Sequence, residues 1–513
     1  MPIPGKNFNE LNQAQEQAVR HKGSHLLIVA GPGTGKTHTL TCRIIHLIEQ
    51  LKKDERILAI TFTQKAAGEM RDRISKYQTP PAKNITLGTF HSFCLDSLRQ
   101  NIHHTSLPPD FQIAAPDIID KTLPELWPNL SVKERKNSLE QINQWKSTEV
   151  KKPMSEKVGE YNRFLRSRGY LDFDDILTEF LALLKKNHQV QEQVRKIFKF
   201  IFVDEYQDIN PPQHAILKIL VGEGNLLTAI GDPNQAIYGF RGSDVSFFES
   251  FQKDFPGAAV LELSENYRSA ENLLKASGQV IAKGRRFTVP PLTAKIFLEG
   301  RLTMHEAPTD KAEAEYVVHQ IERLIGGTSM FSMDSGRVAN HEESAAGFAD
   351  IAILYRLNSQ RRVLEEALGR SGIPYRVSGD KPFYQTVIPL EEDSSDDNNQ
   401  KVSLMTLHAS KGLEFPIVFI IGCEHNIIPL SFGDLKSDVE EERRLFYVGM
   451  TRAKQKLYLL NAKRRCLYGK LYDTTASPFL ADIAEELKAF EEIQKKIFQK
   501  KSSREKQMDL FSE

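Results

Sequence analysis

Cysteine is scarce in this chain: four in 513 residues, at positions 42, 94, 423 and 466. They lie too far apart in sequence for a zinc or iron–sulfur spacing, so no such centre is expected and the thiols read as reduced. Also missing is any apolar run near the roughly 20 residues that span a bilayer. The N-terminus MPIPGKNFNE has no basic-then-apolar leader, and the expectation is an intracellular, cytoplasmic protein. Nor is one sign of charge in excess. A formal net charge of +1 gives no global attraction to a polyanion, so such binding has to come from a local basic or aromatic groove. What is present suits a large multidomain protein: 40% hydrophobic residues, 26% charged, and a length that predicts two to four domains. No internal repeat is evident.

Against this background the segment Ala30-Gly31-Pro32-Gly33-Thr34-Gly35-Lys36-Thr37 stands out. It follows the apolar run Leu26 to Val29 and precedes a helix-like stretch. In that setting backbone amides and a helix N-terminus cradle phosphates, Lys36 neutralises them and Thr37 holds Mg2+. Far downstream come Val203-Asp204-Glu205-Tyr206-Gln207-Asp208 and Gly231-Asp232-Pro233-Asn234-Gln235. Asp204, at the end of the buried run Ile201 to Val203, is placed to hold the metal, and Glu205 to polarise an attacking water. Alone, that acidic strand end reads equally well as a solvated terminus. Beside the loop, it points to hydrolysis of a nucleoside triphosphate.

Apolar strand candidates lie at Leu26 to Val29, Ile57 to Thr61, Ile85 to Leu87, Ile201 to Val203, Leu226 to Ile230 and Val260 to Leu263, separated by helical patterns. A second series follows at Leu302 to His305, Ile351 to Tyr355, Val402 to Leu407, Ile417 to Ile421 and Leu457 to Leu460. Alternating strands and helices predict an α/β protein with two parallel sheets. The expected domains are residues 1–280, with a helical insertion over about 105–170, then 281–485, then a basic tail 486–513. The polar, aperiodic stretches Gly326 to Gly347 and Glu391 to Gln400 read as connectors.

Nine segments in order resemble the motifs of superfamily 1 DNA helicases of the UvrD/Rep/PcrA type, over nearly the whole chain. They are LNQAQEQAV (11–19), AGPGTGKT (30–37), AITFTQKAAGEM (59–70), TLGTFHSF (86–93), IFVDEYQD (201–208), AIGDPNQAIYGFRG (229–242), LSENYRS (263–269), LMTLHASKGLEFPIVF (404–419) and EEERRLFYVGMTRAKQKLYL (440–459). The resemblance implies two RecA-like P-loop NTPase domains, parallel sheets flanked by helices, with a small helical insertion in the first. It further implies an ATP- and Mg2+-dependent enzyme that moves 3'–5' on single-stranded DNA and at single-strand/duplex junctions, in repair or replication. Gln15 would read the adenine edge, with Ala30 to Thr37 and His38 around the nucleotide. Asp204 and Thr37 would serve the metal, and Glu205 would be the catalytic carboxylate. Gln235 would sense the γ-phosphate, Tyr267 stack on adenine, Arg268 and Arg452 reach the γ-phosphate, and Glu414 contact the ribose. Strand binding would fall to Phe62, Thr63, His91, Tyr238, Phe240, Arg241 and His408. Stacking on aromatic faces is indifferent to base identity, although Phe62 and Phe240, following apolar strands, read by themselves as core aromatics.

The chain departs from the family pattern in three places. Phe240 stands where these helicases usually carry Trp, and His38 where an Arg commonly covers adenine. The accessory 2B subdomain, usually inserted between Tyr375 to Gly379 and the motif at Leu404, is expected to be reduced to about residues 385–400. The tail ends in Gln507-Met508-Asp509-Leu510-Phe511, similar to the peptide that docks bacterial proteins on the replication sliding clamp, with Gln507, Leu510 and Phe511 as the contact residues. The residues leave open a translocase that strips proteins without unwinding, a nucleotide-switched binding module that barely turns over ATP, and a strand-exchange recombinase.

Overall fold

The chain is described by a computed structural model over residues 11–76, 84–148, 155–284, 291–296, 300–326, 346–378, 400–433 and 435–490. Most of the two expected polar connectors, the reduced 2B segment and the tail with Gln507, Leu510 and Phe511 lie outside the described residues.

The apolar runs become parallel strands. The first sheet contains β1 (Leu26–Ala30), β2 (Arg56–Thr61), β3 (Ile85–Thr89), β4 (Phe198–Val203), β5 (Leu226–Gly231) and β6 (Ala259–Leu263). Their order is β3-β2-β4-β5-β1-β6, parallel throughout. Crossover helices cover both faces of such a sheet, which is why its strands are apolar along their length instead of alternating. Leu26, Ile28, Ile57 and Phe202 pack on one face with Leu40 and Ile44, and Leu27, Leu58 and Ile201 on the other with Phe93 and Phe180.

The second sheet contains β7 (Arg301–Ala307), β8 (Ile351–Tyr355), β9 (Tyr375–Ser378), β10 (Val402–Thr406), β11 (Phe415–Ile420), β12 (Ala453–Ala462) and β13 (Ala489–Phe490). It is again parallel, in the order β9-β10-β8-β11-β12-β7-β13. Two RecA-like cores therefore sit in one chain, as expected. Strand β4 begins at Phe198 and β12 at Ala453, earlier than the apolar runs, because Lys199, Lys454 and Lys456 interrupt the hydrophobic pattern, and the pairing shifts register beside Lys199 and Lys454 before continuing.

Between β3 and β4 three helices, Pro116–Leu126, Val132–Thr148 and Glu156–Arg166, pack around Leu123, Trp127, Ile142 and Tyr161. A buried ammonium ties this bundle to the first core, since Lys146 Nζ lies 2.5 Å from Asp172 Oδ2 and 2.6 Å from Asp175 Oδ1. All but the last two residues of the helix Glu271–Ala282 are on the first-domain side of the expected boundary at 280. Its Leu273, Ala276 and Val280 nevertheless pack in the second core with Leu302, Met304 and Leu445. An amphipathic helix goes where its apolar face is covered, whatever its neighbours in sequence.

Helix Gln13–Arg20 leads into β1, and its carboxyl-terminal carbonyls find an internal donor. The Arg43 guanidinium donates to the carbonyls of Ala18 at 2.7 Å, Val19 at 3.2 Å and His21 at 2.9 Å, and to Thr228 Oγ1 at 3.0 Å. Arg43→Met would leave these acceptors without a donor and is expected to cost about 2–4 kcal/mol. A lowered urea midpoint checks this, and an unchanged midpoint would show that water replaces the guanidinium.

Candidate functional site

The Ala30–Thr37 loop joins β1 to the helix Lys36–Ile48. Gly33 and Gly35 have φ of +70° and +81°, a region open to glycine at little cost. Space alone would demand glycine there. A Cβ at Gly33 would sit 2.5 Å from Asn266 Nδ2, and one at Gly35 would sit 2.7 Å from Gln15 Nε2. Those two amides grip the loop: Gln15 Nε2 donates to the Thr34 carbonyl at 2.9 Å and Asn266 Nδ2 to that of Pro32 at 2.6 Å. Thr34 Oγ1 closes the turn onto the Gly31 carbonyl at 2.8 Å. Lys36 Nζ donates to the carbonyls of Ala30 at 3.1 Å and Gly31 at 3.3 Å, so its ammonium lies along the loop. Burial lowers the Lys36 pKa, with Glu205, Asp232 and Asp204 opposing that effect. Thr37 and His38 occupy the first turn of the helix, where His38 nears Cys42 Sγ at 3.8 Å.

Asp204 and Glu205 follow β4, beside the loop. Glu205 takes φ of +53°, uncommon for a residue with a side chain, and this turns its carboxylate away from the strand direction. Burial, and then the Glu205 charge, push Asp204 up to about 7. Burial acts on Glu205 as well, but Lys36, Lys411, the Gln207 amide and Arg452 outweigh it and hold Glu205 below the usual carboxylate range. Two adjoining carboxylates, Asp204 buried and Glu205 half-buried, with opposite shifts and next to an ammonium and a threonine in a glycine cradle, suit a divalent cation bound with a polyphosphate. After β5, Gln235 Nε2 donates to Asp232 Oδ2 at 2.7 Å.

The second core supplies cations to the same place. Arg452, only 1% exposed, precedes β12 and directs Nη2 to Gln235 Oε1 at 3.4 Å, with Nη1 on the Leu413 carbonyl at 3.0 Å. Arg268 Nε lies 2.5 Å from Glu414 Oε2, and Lys454 Nζ 2.7 Å from Glu414 Oε1. Tyr267, half-exposed, donates from its hydroxyl to Glu265 Oε2 at 2.6 Å and accepts from Asn12 Nδ2 at 2.9 Å. The nucleotide-site residues expected from the sequence thus gather around one seam, with Gln15, Tyr267 and Glu414 already hydrogen-bonded or ion-paired to protein neighbours.

The expected strand-contact residues form a row on the adjoining surface. Phe62 stacks on Tyr238 with centroids 4.9 Å apart, Tyr238 lies 6.2 Å from Phe240, and Phe240 meets His408 edge-on at 5.4 Å. Phe240 is 64% exposed, which decides against the reading as a core aromatic; Phe62 is half-buried against Tyr238. Arg241 reaches over Tyr238 and Phe240, at 5.5 and 5.2 Å. Thr63 spends its hydroxyl capping the helix Gln64–Ser75. His91 is buried and stacks on Phe173 at 3.8 Å. A cavity of about 800 Å³ runs from Phe62, His91 and Tyr238 to Leu139, Asn143 and Gln144 of the inserted bundle.

Several residues of the site were not singled out from the sequence. Asn266 accepts the amides of Arg268 and Ser269, each at 2.8 Å, while donating to Pro32. Ser269 Oγ meanwhile bonds the Ala453 carbonyl of the second core at 2.7 Å. Gln207, Asp208 and Lys411 link the two rows. All stand inside the quoted motifs as polar residues at strand ends, which was the available signal.

An ATPase of the RecA-like P-loop class, with a second core placing an arginine at the seam, is what this fold and site define. Comparison narrows the class. Residues 11–256 match the UvrD/REP helicase N-terminal domain, and residues 261–388 and 386–464 match the UvrD-like helicase C-terminal domain. The ATP-dependent DNA helicase PcrA of Staphylococcus aureus (strain MRSA252) is 27% identical over 653 residues, covering 94% of this chain and 87% of that protein. Its namesake in Staphylococcus epidermidis (strain ATCC 12228 / FDA PCI 1200) is 28% identical over 649 residues, covering 93% and 87%. This chain belongs to the UvrD/PcrA-type family of superfamily 1A helicases.

Burial holds the His91 and His408 imidazoles neutral, each down to about 3 from an ordinary value near 6.5. Each therefore binds a proton more readily in the unfolded chain and subtracts stability as pH falls below 6.5, by about 1.4 kcal/mol per pH unit. His91→Gln removes one such contribution. Its urea midpoint is expected to drop less than that of the wild type between pH 6.5 and pH 5, and equal drops would contradict a buried neutral imidazole.

Proposed function

We propose that the chain is an ATP-dependent DNA helicase and single-stranded DNA translocase, moving 3'–5' and acting in the cytoplasm in DNA repair or replication. The observation that carries this reading is the seam at which Lys36, Asp204, Glu205 and Gln235 of one core meet Arg452 of the other. Bound Mg2+ and ATP would supply the transferable phosphoryl group and its charge. Ala30 to Thr37 would hold the phosphates, Thr37 and Asp204 the metal, and Glu205, kept ionised, would orient the attacking water and accept its proton. Arg268 and Arg452 neutralise charge developing on the γ-phosphoryl, which ties hydrolysis to closure of the two cores. Gln235 senses the γ-phosphate, Gln15 and Tyr267 with His38 attend the base, and Glu414 attends the ribose.

The row Phe62, Tyr238, Phe240 with Arg241, Thr63, His91 and His408 is the single-strand path in this reading. Stacking contributes about 1–3 kcal/mol per base without selecting sequence. We further propose that 2B is reduced to about residues 385–400. Supporting this, the C-terminal family match divides at residues 386–388, and the match to the staphylococcal relative extends over 653 positions. That favours a second reading, a translocase that displaces proteins and needs a partner to open duplex. Docking of the tail on a sliding clamp through Gln507, Leu510 and Phe511 also stands as a proposal, and truncation of the last residues should abolish capture by immobilised clamp.

Steady-state ATPase is expected to rise with single-stranded DNA more than with RNA or duplex. Its apparent affinity should fall with salt at a log–log slope of about −0.7 per neutralised phosphate. Arg452→Ala is expected to lower the stimulated rate about 10³-fold or more. A stimulated rate within tenfold of the wild type would remove Arg452 from the catalytic set. Displacement by purified monomer on duplexes tailed at one end or the other separates the helicase from the translocase and fixes the polarity.

A further inference from the structure

Between the two rows lies an ammonium that neither needs for its own chemistry. Lys411 belongs to the segment joining β10 to β11 in the second core, yet its Nζ is paired with Asp208 Oδ2 of the first. The pair is sequestered, with side chains 6% and 0% exposed. The same Nζ donates to the Gln235 carbonyl at 2.8 Å and sits 4.9 Å from the centre of the Tyr238 ring, whose opposite neighbour is Phe62. From Asp208 the contacts continue inward. Gln207 Nε2 lies 3.3 Å from Asp208 Oδ2 and 2.5 Å from Glu205 Oε2, while Gln207 Oε1 accepts the Asp232 amide at 3.0 Å. A continuous set of polar contacts thus runs from the aromatic row to the carboxylate assigned to water activation, and its one member from the second core is Lys411.

Cost decides whether such a contact is passive. A carboxylate removed from water without a partner is expensive, and removing one member of a buried pair strands the other. Burial already raises Asp208 to about 7, and Lys411 is the main influence pulling it back down. Asp208 Oδ1 has no hydrogen-bond partner among the described residues, so the pair is the principal compensation for this carboxylate. It forms only when the cores are together. A ligand that moves Tyr238 acts on Lys411, and a ligand that moves Glu205 acts on Asp208 through Gln207. Both therefore bias one closed arrangement, which is the physical requirement for coupling between sites.

We propose that Lys411 is a positioning residue whose pairing with Asp208, relayed by Gln207, couples occupancy of the aromatic row to the placement of Glu205. This rests on the reading of the two rows as single-strand and nucleotide sites. It assigns Lys411 no contact with either ligand.

Linkage supplies a test that does not depend on turnover. The dissociation constant for a fluorescent oligothymidylate is measured by anisotropy with and without a non-hydrolysable ATP analogue, on the full chain. The ratio of the two values is the coupling factor, commonly 5–150-fold for coupled sites. Lys411→Met and Asp208→Asn are each expected to bring it within about twofold of unity. The double variant should be no worse than either alone, and Lys411→Arg should retain most of the factor. Thermal unfolding identifies variants that remain folded, and Asp208→Asn, nearly isosteric, serves if Lys411→Met does not fold. The wild-type ratio persisting in a folded Lys411→Met or Asp208→Asn protein would overturn the proposal. A wild-type chain that binds no oligothymidylate would instead overturn the single-strand reading beneath it, and the proposal with it.

Discussion

Charge that must be kept out of water yet kept compensated is the constraint on which this structure depends. Lys36, Asp204, Glu205, Asp208, Asp232 and Arg452 crowd one seam, where burial shifts all but Glu205 toward their neutral forms and neighbouring cations keep Glu205 ionised. No single core contains a balanced set. The first supplies four carboxylates and one ammonium, and the second brings Arg452 and Lys411. Pairing these charges therefore favours the cores together, as does apolar packing, since Ile237 of the loop after β5 is wholly buried in the second core. The contact surface is also the proposed site of chemistry, where a change in charge at a bound nucleotide would act directly on the force that closes the molecule.

Rigidity is concentrated where phosphates would lie. Gln15 and Asn266 approach the loop from before β1 and from after β6, and both use neutral amides. Neutral donors hold a backbone without competing for a ligand's negative charge. Asn266 also fixes the turn that carries Arg268, and the next residue, Ser269, is bonded to Ala453. Loop, arginine and second core are thus referred to one side chain. By contrast, the aromatic row is open at Phe240 and Arg241, as the proposed single-strand path requires.

The parallel sheets were legible in the sequence because strands buried on both faces are written as short apolar runs, and the nucleotide loop because glycine spacing and Lys-Thr have few other uses. Lysines hid the starts of β4 and β12. Asn266 and Lys411 were invisible as functional residues because their partners, Pro32 and Asp208, are far away in sequence and nothing local marks a long-range hydrogen bond. The allegiance of Glu271–Ala282 was hidden for the same reason: its apolar face shows that it is covered, and only the fold shows by what. His91, whose motif suggested backbone contact, is buried against Phe173 in the wall of the cavity beside Phe62 and Tyr238, a placement that the sequence pattern alone does not specify.

That helix has a consequence for any attempt to study the halves apart. A fragment starting at residue 281 would open a trough between Leu302, Met304 and Leu445 where Leu273, Ala276 and Val280 belong. A fragment ending at 280 would trail a greasy helix with nothing to cover it. The covalent seam between the halves is therefore nearer residue 264, where the edge strand of the first ends. A split protein cut there would carry its own glue, Leu273, Ala276 and Val280 staying with the core they fill and the pair reuniting through Ile237 and the turn at Asn266.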